Sequence, residues 1–196
     1  MGVGPTFEPV PGARHRVELR DGVECIVIPA SRHWFVMPFL AIWLVGWTIG
    51  GGAAMSQFVA APGGFERGFL AVWLVGWAFG WVFAASWLLW QIGGEHRLAV
   101  YQGALVYRWR MPLLSRTRRY DAAQVRNLAS ADGGWPAFFG GGMPAAKPPF
   151  APMQVGTIRF DYGVRTIRLV PGLDEAEGRI IVERLAAKLP RGAVGR

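Results

Sequence analysis

Phe39-Leu-Ala-Ile-Trp-Leu-Val-Gly-Trp-Thr-Ile-Gly50 recurs thirty positions later as Phe69-Leu-Ala-Val-Trp-Leu-Val-Gly-Trp-Ala-Phe-Gly80, with nine of twelve residues identical. Both copies sit in apolar surroundings: no charged residue lies between Arg32 and Glu66, or between Arg67 and Glu95. A hydrocarbon layer of ~30 Å needs ~20 apolar residues in a helix, so each run is long enough for one crossing. The reading is a transmembrane hairpin over 35–92, with helices near 35–56 and 68–92 joined by a short Pro-Gly-Gly turn.

The repeat also predicts how those helices pack. Each copy holds a Gly-x-x-x-Gly, Gly46/Gly50 and Gly76/Gly80, beside the pairs Trp43/Trp47 and Trp73/Trp77. Small residues one turn apart let helix backbones approach closely in lipid. Facing residues of an antiparallel pair have numbers of constant sum, and a turn centred near Ala61-Pro62 sets it at about 123. Trp43 then opposes Gly80, Gly46 opposes Trp77, Trp47 opposes Gly76 and Gly50 opposes Trp73, each Trp filling the groove over a Gly. The competing arrangement turns the Trp residues to lipid and leaves the Gly faces for self-association.

Charge gives the orientation. The net charge of +8 comes entirely from residues 93–196, which hold sixteen Lys/Arg against eight acids. Arg14, Arg16, Arg20 and Arg32 precede the first span, Arg97, Arg108 and Arg110 follow the second, and the loop between holds Arg67. Cytoplasmic flanks carry the excess of Lys and Arg, so both termini are expected in the cytoplasm, on a two-span protein of the inner membrane. A signal peptide fits poorly, because the apolar run starts late, the leader contains acids and a second span follows. The single cysteine, Cys25, excludes an internal disulfide and a multi-cysteine metal site, and reads as a packed strand residue.

Around the hairpin the pattern is β. Residues 1–13 read as a flexible tail, and 14–30 as a β-hairpin turning at Asp21-Gly22, where both turn positions favour positive φ. After Gly93-Gly94 come strands at 98–101, 104–110, 114–120, 125–130, 156–161 and 164–170, with turns at Gln102-Gly103, Asp121 to Gln124 and Tyr162-Gly163. Residues 131–153 hold five Gly and five Pro and read as a long loop. A helix over 174–189 closes the chain, with Asp174 and Glu177 at capping-box spacing and Ile181, Val182, Leu185, Ala186 and Leu189 on one stripe beside Gly178.

Leu98-Ala-Val-Tyr-Gln-Gly-Ala-Leu-Val-Tyr-Arg-Trp-Arg110, followed by Ser115-Arg-Thr-Arg-Arg-Tyr-Asp-Ala-Ala-Gln-Val-Arg-Asn-Leu128, resembles the bacterial pleckstrin-homology-like domains carried by small membrane proteins. The likeness covers roughly 95–190, with the N-terminal hairpin added to the same sheet, and its motifs are loose patterns of strand chemistry. It implies an α+β membrane protein: a two-helix anchor plus an antiparallel β sandwich or barrel of about seven or eight strands, capped by the C-terminal amphipathic helix. It implies no catalytic residues.

Arg108, Arg110, Arg116, Arg118 and Arg119 form the densest basic cluster, a candidate contact for anionic lipid headgroups or a partner, set against an ordinary solvated strand face. Trp135, Phe138 and Phe139 are candidate interfacial residues of the long loop. His15, His33 and His96 each adjoin an Arg, have no second ligand at metal spacing and are expected at surfaces or interfaces. There is no Gly-x-Ser-x-Gly and no phosphate loop. The expectation is therefore a non-enzymatic protein without cofactor or metal, whose partners are the bilayer, anionic headgroups, another protein or a second copy, and not nucleic acid. The alternative is an accessory or assembly subunit acting through its membrane hairpin.

Overall fold

Asp21 and Gly22 both take positive φ, 52° and 76°, as do Gln102 and Gly103 at 48° and 69°. These tight turns match the right-handed twist of their flanking strands, and they set the register on either side. The computed structural model describes residues 14–131 and 156–193. β1 (Arg16–Arg20), β2 (Val23–Pro29), β3 (Glu95–Tyr101), β4 (Ala104–Met111) and β5 (Leu114–Asp121) form one antiparallel sheet in sequence order. A short 3-10 turn, Ala122–Gln124, has its start capped by the Asp121 carboxylate accepting from the Ala123 N–H at 2.9 Å. β6 (Val125–Ser130), β7 (Gly156–Tyr162) and β8 (Arg165–Pro171) form a second, three-stranded antiparallel sheet, and α3 (Glu175–Ala186) follows. The α+β expectation, with eight strands and a closing helix, agrees with this order.

Ile26, Leu98, Leu105 and Tyr120 of the first sheet meet Phe160, Leu169, Ile181 and Leu185 of the second sheet and α3 in one core. Ile181, Val182 and Leu185 of the expected helix stripe are buried, but the helix ends at Ala186 and not at 189, so Leu189 is buried in the turn that follows it. Gly178 lets α3 lie close to the second sheet: a Cβ there would meet the Thr157 Cγ2 at 3.0 Å and press on the Ser130 hydroxyl. The capping box is different from its expectation. Asp174 is the N-cap residue but makes no side-chain cap bond. Glu177 turns away to accept from the Arg14 N–H, the His15 N–H and the His15 Nδ1, at 2.8, 2.7 and 2.9 Å. A chain arm far away in sequence has outcompeted the local cap.

α1 (Val36–Ala60) and α2 (Gly64–Gly93) belong to a second compact unit, Ala30–Gly94. Both are long and apolar enough to cross a membrane, with mean hydropathy 1.5 and 1.8. They are longer than the sequence reading because only Ala61 to Gly63 are spent on the turn. In connectivity the pair is an insertion between β2 and β3, whose ends Pro29 and Glu95 are register partners in the sheet.

Tryptophan does fill the groove over glycine, but in a shifted register. A Cβ on Gly80 would lie 2.8 Å from the Trp47 ring, and one on Gly50 would lie 3.2 Å from the Trp77 ring. Trp47 over Gly80, and Trp77 over both Gly50 and Gly51 (a Cβ on Gly51 would lie 2.9 Å from the Trp77 ring), replace the expected Trp47–Gly76, Trp43–Gly80, Gly46–Trp77 and Gly50–Trp73. The backbones run near the expected alignment, since Trp47 and Trp77 face each other edge-on with ring centroids 5.1 Å apart. Side chains lean toward their own helix N-terminus. In an antiparallel partner that lean reaches about one turn further along, from the level of residue 77 to Gly80. Gly46 and Gly76 are left with open space, and Trp43 and Trp73, about half exposed, lie against Trp47 edge-on and against Trp77 at a tilt. The Trp77 indole donates to the Trp47 carbonyl at 3.2 Å, and the Trp81 indole to the Thr48 hydroxyl at 2.9 Å. The second bond breaks the symmetry of the repeat, because Ala78 stands where Thr48 does.

Candidate functional site

The five-arginine cluster is divided by the pleat of β4 and β5. Directly paired residues share a face of an antiparallel ladder, and the register couples Tyr107 with Arg118 and Trp109 with Arg116. Arg116 and Arg118 therefore share the face of Leu98, Leu105 and Tyr120, which is the core side. Arg108, paired with Thr117, and Arg119, paired with Val106, lie on the outer face with Arg110. Arg110 is further engaged with Glu95, 3.5 Å away, and Glu95 also holds Arg97 at 2.8 Å. The single basic face of the sequence reading is thus two faces, because alternating strand residues cannot share one.

On the core side Arg116 and Arg118 open onto a cavity of about 360 Å³. Tyr107 and Trp109 form its wall on β4, and Arg168, Val170 and Pro171 close it from β8. Val170 is fully buried with φ of 56°, a strained conformation for a β-branched side chain. The reversal puts Leu169 and Val170 in the core consecutively, which the alternation of a regular strand forbids. Arg168 and its register partner Arg159 are both cationic and exposed, an arrangement that costs stability in a sheet. No carboxylate pairs with Arg116, Arg118, Arg159 or Arg168 among the described residues.

Behind the wall, His96 is 3% exposed and its Nδ1 lies 2.9 Å from the Tyr107 hydroxyl. The surface position expected for His96 is corrected by the register: it pairs with Trp109 on the core side. His15 is drawn onto Glu177, while the His33 N–H donates to the buried Gln91 side chain at 3.1 Å. Burial lowers His96 to about 4 and raises Tyr107 to about 12, with Arg118 pulling the phenol the other way. Both groups are neutral near pH 7. The unfolded His96 binds its proton below about pH 6.5 while the folded one does so only below about 4. Stability contributed by this site is complete above pH 6.5 and lost as pH falls toward 4, by about 3 kcal/mol at most. Unfolding measured across that window is expected to show this loss, and His96→Gln to remove that part of the slope.

Cys25 sits half-buried on β2 with its thiol pushed up by burial, in keeping with a packed strand residue. No group of three or more His, Cys, Asp or Glu able to hold a metal is present among the described residues. Trp135, Phe138 and Phe139 lie outside the described residues, as do the tail 1–13 and most of the 131–153 loop. Sequence reading missed Arg168, Tyr107 and Trp109 as companions of Arg116 and Arg118. Its signal for the last two was available, since the turn at 112–113 pairs 107 with 118. Nothing local marked Arg168. The chain matches no protein-family model, no curated protein and no solved structure.

Proposed function

We propose that this is a non-enzymatic membrane protein in which a two-helix hairpin tethers a pleckstrin-homology-like binding domain to the cytoplasmic face of the inner membrane. The observation that carries the reading is the insertion point. β2 and β3 pair with each other, Pro29 opposite Glu95, although the two apolar helices run between them. Strands in one sheet must lie on the same side of a bilayer, so the insertion must cross an even number of times. Two antiparallel spans meet that requirement, and the Arg-rich flanks favour the cytoplasmic side. Two antiparallel sheets around one core, closed by α3, support the likeness to pleckstrin-homology domains. The basic strands supply its binding surface, for anionic headgroups or a protein partner.

Cell fractionation tests the tether. The chain is expected to stay in the membrane pellet through an alkaline wash, and its release by that wash would contradict the reading. A second reading, an assembly subunit acting through its spans, is favoured by the open faces at Gly46 and Gly76 beside half-exposed Trp43 and Trp73. It requires that bulky residues at Gly46 and Gly76 abolish an assembly while leaving the hairpin itself intact.

A further inference from the structure

We propose that the β4–β5 turn, Pro112 to Leu114, is an apolar wedge that inserts into the headgroup–acyl boundary of the bilayer. It gives the sheet domain a third attachment beside its two chain connections to the spans. The inference rests on the membrane-tether reading and says how the tethered domain is turned on the surface.

The register sorts the turns of the five-stranded sheet by end. Pro29 pairs with Glu95, Glu95 with Arg110 and Arg110 with Ser115. The β4–β5 turn therefore shares an end with the two points where the chain leaves for α1 and returns from α2. The β1–β2 and β3–β4 turns lie at the other end, where Arg20 pairs with Val23 and Tyr101 with Ala104. Those far turns, Asp21-Gly22 and Gln102-Gly103, are exposed and take positive φ. The near turn is Pro112-Leu113, followed by Leu114, and neither central residue has positive φ. Two-residue hairpins favour positive φ and small polar residues, so the hairpin itself does not call for leucine here. Leu113 is 76% exposed and Leu114 60%, whereas Met111 before them is buried. Single exposed apolar residues such as Leu19 and Val164 are ordinary. Two leucines in succession at the tip of a hairpin, on the end that carries the spans, are not.

Covalent reach brings this end of the sheet to the membrane surface. Glu95 is two positions after Gly93, the last residue of α2, at most about 7 Å of extended chain. β5 is two ladder steps from β3, about 10 Å across the sheet. Amphipathic elements settle about 5–10 Å into the boundary layer, a depth that a two-leucine tip can fill. The flanking chemistry suits that layer. No Asp or Glu occurs between Glu95 and Asp121, so insertion desolvates no carboxylate. Arg110 and Arg116 flank the tip and are exposed, with stems long enough to keep their charge in water as the leucines sink. Just before α1, Trp34 and Phe35 are also largely exposed, as residues of an interfacial belt are. The alternative cover for the tip is a protein partner, and the end it shares with the span connections favours the bilayer.

Fluorescence quenching by lipid tests the wedge. The full chain, in a Cys25→Ser background, is reconstituted in nanodiscs of phosphatidylcholine, which carries no net charge. A single label is placed at Ser115, beside the intact leucines, at Arg20 on the opposite end of the sheet, or at Ile49, exposed on α1. Lipids with a nitroxide high on the acyl chain supply the quencher. The expected result is quenching at Ser115→Cys at least about threefold stronger than at Arg20→Cys, falling to within about 1.5-fold of it when Leu113→Asp/Leu114→Asp is added. Unchanged thermal midpoints establish that the substituted chain is folded. The Ser115 signal is expected to persist in about 0.5 M salt, where exposed charges are screened within a few ångströms. Equal quenching at Ser115 and Arg20, or quenching at Ser115 that survives the double substitution, overturns the wedge. Loss of the signal in high salt also overturns it, since charge and not apolar insertion would then hold the domain down. The Ile49 label reads the tether separately. Quenching there with none at Ser115 removes the wedge and leaves the spans in place, whereas none at Ile49 overturns both.

Discussion

Replacing Glu177 by alanine is expected to destabilise the sheet domain by about 3 kcal/mol and to remove hydrogen-exchange protection from β1 first. One carboxylate oxygen of this buried residue accepts from two backbone N–H groups, Arg14 and His15, and from the His15 ring, all within 2.9 Å. Each buried donor left without an acceptor costs about 1–3 kcal/mol, and water reaching the partly buried arm offsets part of that. Arg14 also donates to the Gly172 carbonyl, so the arm at 14–15 joins the α3 N-terminus to the end of β8. β1 is an edge strand with little core of its own, and four of its five residues are exposed. Once the arm is released, only the β2 ladder holds it. Glu177→Gln keeps an oxygen at the same place and is expected to cost less than half as much. Equal loss in the two variants would mean that the negative charge, and not the shared acceptor, does the holding.

The second large effect lies in the hairpin. Gly80→Val is expected to destabilise the α1–α2 packing by about 1–3 kcal/mol, the usual cost of overpacking, while Gly76→Val stays within about 0.5 kcal/mol. A Cβ at Gly80 falls 2.8 Å from the Trp47 ring, and at Gly76 it meets nothing within 4 Å. The indole has two torsions and is pinned between Trp43 and Trp77, so it has little room to yield. Unfolding in mixed micelles of rising anionic-detergent fraction measures both. The constant-sum alignment of the sequence predicts the reverse emphasis for Trp47, with Gly76 as its seat, so equal or inverted effects would restore that register.

The contrast between these two cases shows what the chain made legible. Elements set by local pattern were readable: the Asp21-Gly22 and Gln102-Gly103 turns, the alternating strands they join, the α3 stripe and the two apolar runs. Partners separated by long stretches of chain were not. Glu177 has the spacing of a helix cap, and only the folded arm shows why it serves another acceptor role. Trp47 and Gly80 required the lean of a side chain as well as the path of a backbone. The five arginines looked like one surface until strand pairing assigned each to a face. Arg168 joined two of them through the packing of one sheet on another, which no spacing in the sequence encodes. His96 was hidden for the same reason, since burial is a property of the layer above it.

The central claim is that the sheet domain and the α1–α2 turn lie on opposite sides of a membrane. Sided labelling tests it most directly. In a Cys25→Ser background, single cysteines are placed at Pro62, exposed in the α1–α2 turn, and at Val164, fully exposed in the β7–β8 turn. Intact cells are then treated with a membrane-impermeant maleimide. The account predicts that Pro62→Cys is labelled at once and that Val164→Cys reacts only after the membrane is opened. Protection of Pro62→Cys in intact cells, or equal labelling of both positions, would contradict it.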